Sequence, residues 1–105
     1  MIADEDLVAY DVAGRSVLLL FRRGGSTLAR SGPSGTIPGH DGSGPLHFAF
    51  AIPEDTLPDW RVLLAERGVV VEATMRWPRG GTSLYFRDPD QHLVELATPG
   101  LWPMY

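Results

Sequence analysis

Two short apolar-rich runs open the chain. Leu7–Ala13 and Arg15–Arg22 each read as a strand, and Gly14 lies between them, where a tight hairpin needs a residue that tolerates positive φ. A second patterned region begins at Leu46. Leu46–Ile52 alternates large with small residues and reads as a strand. Thr56–Arg67 has helical spacing, with Leu57, Trp60, Leu63 and Leu64 on one face. Thr56 is placed to cap it, Asp59 follows three residues on, Pro58 suits the first turn, and Gly68 is the expected stop. Val69–Glu72, Ser83–Arg87 and Leu93–Ala97 then read as strands, separated by a Trp77–Gly81 loop and an Asp88–Gln91 turn. The order is βαβββ, which predicts an α+β unit with one helix against a sheet.

Residues 24–45 have a different character. Seven Gly, four Ser and three Pro fall in these 22 positions, which predicts a long connection without regular structure. The chain therefore divides into a hairpin over 6–22, a Gly/Ser/Pro-rich connection over 24–45 and a complete module over 46–98.

Alternation assigns the faces of the second sheet. Leu46, Phe48, Phe50 and Ile52 share the face expected under the helix, with Leu84, Phe86, Val94 and Leu96. The opposite face gathers His47, Ala49, Ala51, Ser83, Tyr85, Arg87 and Glu95. Such a face is either a functional cavity or a solvated surface, and pattern alone favours solvation because half-solvated antiparallel sheets are common. Glu95 is the exception. A carboxylate inside an apolar strand needs a partner, and a metal ion, Arg87 or Tyr85 would serve. His92, three residues before Glu95 on a strand, points to the other face. His40 lies in the Gly-rich connection and is expected in solvent. Trp77 and Trp102 either line a pocket or pack at strand ends, and packing is the simpler reading.

Composition removes several functions. A formal charge of −4 argues against nucleic-acid binding, which uses a basic patch. The absence of Cys excludes disulfides and thiolate chemistry. No Gly-rich phosphate loop joins a strand to a helix, which disfavours nucleotides. The longest apolar run, Val17–Phe21, is too short to span a bilayer, and the acidic start is unlike a signal peptide. The expectation is a cytoplasmic protein without membrane contact.

Leu46-His47-Phe48-Ala49-Phe50, Arg79–Asp90 and His92-Leu93-Val94-Glu95-Leu96, in βαβββ order, resemble the vicinal-oxygen-chelate superfamily of glyoxalases, bleomycin- and fosfomycin-resistance proteins and extradiol dioxygenases. The Phe-Arg-Asp-Pro-Asp turn followed by Leu-Val-Glu-Leu is the most specific part. Members pair two such modules around one site. The resemblance implies that His47 and Glu95 are metal ligands of the second module, suited to Fe, Mn, Ni or Zn, that Glu95 is also the catalytic candidate, and that Ser83, Tyr85 and Arg87 bind substrate. It also exposes departures. Residues 7–22 match only the last two strands of a first module, and that module's remaining ligand position falls at Leu19, which has no donor. The family's Gly after Asp-Pro-Asp is Gln91.

The chain is thus identified as an N-terminally truncated member. Either the start lies too late, or two chains complete one site as a homodimer with a 2-His/2-Glu set. Three functions follow from the resemblance. One is a divalent-metal-dependent lyase or dioxygenase acting on a small molecule with vicinal oxygens, the ion acting as Lewis acid. The second is a metal-free small-molecule-binding protein that sequesters a drug. The third is a degenerate, inactive module.

Overall fold

The computed structural model describes residues 2–105. The chain forms two compact units that divide between Ser43 and Gly44.

The first unit is built on an antiparallel sheet of order β1-β2-β3, from β1 (Ile2–Ala3), β2 (Leu7–Val12) and β3 (Ser16–Phe21). The hairpin between β2 and β3 has the expected position. Its turn places both Ala13 (φ 55°) and Gly14 (φ 68°) in the left-handed region, and the Arg15 N–H donates to the Val12 carbonyl. The Asp4 carboxylate accepts from the Asp6 and Leu7 N–H groups to turn the chain into β2. Along β3, Val17, Leu19 and Phe21 share one face and are exposed.

Residues 24–45 are not wholly irregular. They contain a small hairpin of β4 (Arg30–Gly32) and β5 (Gly35–Ile37), closed by Gly35 at φ 138° and by the Ser31 and Thr36 hydroxyls 3.0 Å apart. Hydrophobic alternation could not reveal it. Each strand is three residues long and exposed throughout, so no apolar face is present to show a period of two.

The second unit has the predicted βαβββ order: β6 (His47–Ala51), α1 (Leu57–Glu66), β7 (Ala73–Arg76), β8 (Thr82–Arg87) and β9 (Leu93–Ala97). The sheet order is β6-β9-β8-β7, with β6 parallel to β9 and the other pairs antiparallel. A 3₁₀ turn over Glu54–Thr56 leads into α1. Thr56 occupies the cap position but does not cap, because its hydroxyl donates to the Pro53 carbonyl at 2.6 Å.

One strand lies further along than the pattern suggests. Val69–Glu72 connects α1 to the sheet, and the third strand is Ala73–Arg76. Gly68, at φ 70°, ends the helix as expected. Val69 and Val71 then pack against the core, the Glu72 N–H donates to the Tyr85 carbonyl of β8, and the regular ladder with β8 runs from Ala73. Val69 and Val71 are apolar because they pack, half-buried, against the core, while Val70 between them is exposed.

The core lies between α1 and the sheet. Ile52, Leu64, Leu84 and Leu96 form its buried centre, flanked by Phe50, Leu57, Trp60 and Phe86. Leu63, expected on the same helix face, is half-exposed instead. β9 is the best buried strand, with Val94, Glu95, Leu96 and Ala97 all at 7% exposure or less.

Two glycines explain the placement of the C-terminal segment. A Cβ on Gly81 would lie 2.6 Å from Leu101 Cδ1 and 2.8 Å from the Pro99 carbonyl, so only glycine lets the 77–81 loop approach residues 99–101. Gly100 adopts φ 111° at the same crossing. No helix among the described residues is long and apolar enough to cross a membrane.

Gln91 carries positive φ (69°) in the β8–β9 turn, where the family pattern has glycine. The left-handed conformation costs an L-residue about 1–2 kcal/mol. The Q91G variant should therefore be more stable by about 1 kcal/mol, offset in part by the greater freedom of unfolded glycine. Urea melts of the two proteins measure this, and an unchanged or lower midpoint would show that the turn is unstrained.

Candidate functional site

The site is built on the face of the second sheet opposite α1. Strand register brings its parts together. Glu95 on β9 pairs with Ala49 of parallel β6 on one side and with Tyr85 of antiparallel β8 on the other. His47 and Ser83 are the diagonal neighbours, at distances a side chain can bridge.

The polar groups form one directed chain. Indole can only donate, so the Trp77 Nε1–H donates to Ser83 Oγ at 2.9 Å. The Ser83 hydroxyl proton is then free for Glu95, and it donates to Oε2 at 2.6 Å. The other carboxylate oxygen, Oε1, accepts from His47 Nε2 at 3.1 Å. This pairing puts a proton on Nε2 of His47. Both Glu95 oxygens are satisfied, which a carboxylate at 9% side-chain exposure requires. No buried side-chain polar atom lacks a partner among the described residues.

Tyr85 lies beside this pair, its ring centroid 6.1 Å from that of His47. Burial, and secondarily the negative charge of Glu95, push its phenol above the usual value near 10.

An open cavity of about 470 Å³ lies over the strands. Ala49, Ala51 and Ala97 leave the room for it, and His47, Tyr85 and Glu95 supply its polar end. Phe50, Trp77, Leu101, Trp102 and Tyr105 complete the lining. Tyr105 is tied down by its hydroxyl, which donates to the Ala97 carbonyl at 3.2 Å.

The residues expected to bind substrate have separate fates. Tyr85 lines the cavity. Ser83 is fully buried, and its hydroxyl serves Glu95 and Trp77. Arg87 is engaged elsewhere: Nε donates to Glu72 at 3.1 Å and Nη1 to the Gln91 carbonyl at 3.2 Å. Its partner is therefore Glu72, not Glu95. His92 Nδ1 accepts from the Leu46 N–H at 2.9 Å and so fastens the start of β6. His40 is exposed, with its ring edge-on to Phe21. Trp77 and Trp102 line the cavity, against the simpler packing reading. Leu101 and Tyr105 carried no signal in the sequence beyond the Gly81 and Gly100 crossing that directs their segment inward.

No family model matches the chain. The crystal structure of lactoylglutathione lyase from Agrobacterium tumefaciens superposes with a TM-score of 0.81 at 32% identity, covering 98% of this chain and 75% of that one. The chain belongs to the vicinal-oxygen-chelate superfamily. Metallothiol transferase FosB from Bacillus licheniformis is 42% identical over 53 residues, 50% of this chain. That match spans only 34% of the transferase's length, about a third of it. A protein from the mobile metagenome of V. Pseudocholerae shares the fold, with a TM-score of 0.51 at 22% identity over 89% of this chain. The relatives thus include a lyase and a metallothiol transferase.

The superfamily implies a divalent metal, and the donors present can be tested against one. His47 and Glu95 are two donors, bonded to each other. No group of three or more His, Asp or Glu side chains suited to a metal occurs among the described residues. Protein metal sites of this kind use three or four protein ligands, so one chain does not by itself fit the ion.

Two outcomes follow from the geometry. Ser83→Ala strands the Glu95 Oε2 and the Trp77 N–H together, and should cost about 1–3 kcal/mol in a chemical melt. A loss below about 0.5 kcal/mol, the low end for a hydrogen bond, would mean that the relay carries little stability. The raised Tyr85 phenol has a definite sign: the folded state holds its proton longer than the unfolded chain does. Stability should therefore fall as pH rises from about 10, where unfolded tyrosine ionises, up to the folded value. Tyr85→Phe should remove that fall, as read by melts at successive alkaline pH values.

Proposed function

We propose that the cavity over β6, β8 and β9 is the small-molecule site of this protein, and that within one chain it works as a binding pocket. The observation that supports this is the lining itself: an apolar, largely aromatic wall with one convergent polar end at His47, Tyr85 and Glu95. Tyr85 is the substrate-contacting residue of the expected set. Ser83 and Trp77 hold the carboxylate in place, and Arg87 acts only if its bond to Glu72 opens. The reading includes a cytoplasmic setting.

A second reading draws on His47, whose side chain is 50% exposed on the edge strand β6. A second copy facing it across a two-fold would bring two His and two Glu together. That set suits Fe, Mn, Ni or Zn. In that form the protein is a homodimeric lyase or dioxygenase, with His47 and Glu95 as ligands and Glu95 as the residue assigned to catalysis.

Elemental analysis of protein purified without chelator, run beside light-scattering mass, separates the two. A metal-free chain that takes up no ion on titration supports the pocket reading. One ion per two chains in a dimer, lost in both His47→Ala and Glu95→Ala, supports the shared centre. One ion per chain would contradict both.

A further inference from the structure

The charge around the cavity is one-sided. Glu95 is a buried carboxylate at its polar end. The Ser83 hydroxyl that donates to it, itself held by the Trp77 indole N–H, is neutral, so it stabilises the charge without cancelling it. The chain contains no Lys, and its nine cations are all Arg. None of them lines the cavity. Arg87, two residues from Tyr85 on β8, is bound to Glu72, while Arg76 and Arg79 are exposed. His47 is the one lining group that can carry positive charge, and it is already paired with Glu95.

The wall adds a second attraction. Trp77, Tyr85, Trp102 and Tyr105 border the same space as the carboxylate. The face of a Trp or Tyr ring is negative and attracts a cation within about 6 Å, most strongly where water is excluded. An anionic ligand would meet Glu95 with no Arg or Lys in the lining to offset it.

We propose that the cavity selects organic cations, a protonated amine or quaternary ammonium group carried on an apolar body. The charged head lies toward Glu95 and the body lies against Trp77, Trp102 and Leu101. This rests on the reading of the cavity as the small-molecule site, and adds the ligand's charge to it.

Three probes with one body test it. 4-Phenylbutylamine, 4-phenylbutan-1-ol and 4-phenylbutyrate are titrated into the full chain, and binding is read by tryptophan fluorescence and calorimetry. The amine should bind about tenfold more tightly than the alcohol, and the carboxylate most weakly. Glu95→Gln should bring the affinity for the amine down to that for the alcohol. Trp102 is 64% exposed, so Trp102→Ala should keep the fold and weaken the amine more than the alcohol. Equal binding of amine and alcohol, or preferred binding of the carboxylate, overturns the charge selectivity alone. Failure of all three probes overturns it together with the small-molecule site.

Discussion

Burying β9 on both faces is the constraint on which the rest of the second unit depends. One face of β9 packs into the core through Val94 and Leu96. The other carries Glu95, nearly as buried as its apolar neighbours. A charge in that position is tolerated only when every oxygen is hydrogen-bonded. The flanking strands meet this need. β6 brings His47 to one oxygen, β8 brings Ser83 to the other, and the 77–81 loop brings the Trp77 indole to support Ser83. Sheet order and register are therefore what make a carboxylate acceptable in the middle of an apolar strand.

The same arrangement makes the cavity. Ala49, Ala51 and Ala97 would be poor core residues beside Phe50 and Leu96, but on the opposite face they leave space above Glu95. Gly81 lets residues 99–101 cross close to the loop, and the Tyr105 hydroxyl ties residues 102–105 back to the Ala97 carbonyl. Two of the cavity's aromatic side chains, Trp102 and Tyr105, are thus supplied by a segment outside the βαβββ unit. The lactoylglutathione lyase shares the scaffold, but a scaffold leaves the chemistry to the side chains placed on it. Here those side chains are two potential metal donors and a ring of aromatics.

Much of the fold was legible. Period-two alternation in Leu93–Ala97 assigned the core face and the opposite face correctly; in Leu46–Ile52 it held for Ile52, while Leu46 is exposed and Phe50 touches both the core and the cavity. Thr56–Arg67 and Gly68 marked the helix and its end. The hairpin around Gly14 followed from its spacing. Where the pattern misled, apolar residues served packing without pairing, as at Val69 and Val71, or pairing occurred without apolar residues, as in β4 and β5. The site was legible as a set but not as contacts: the sequence put Ser83, Tyr85, Arg87, His47 and Glu95 on one face without saying which would touch.

Alternation and residue type alone determined the βαβββ module, its buried face and the presence of an acidic residue that needed a partner. These are local properties, set within a few residues by the geometry of strand and helix. Tertiary structure alone decided that Ser83 and His47 are that partner, that Arg87 turns to Glu72, and that Trp77, Trp102 and Tyr105 border the site. Each of those contacts joins segments from different elements. A strand specifies which side a residue faces, but only the register of its neighbours specifies what it meets there.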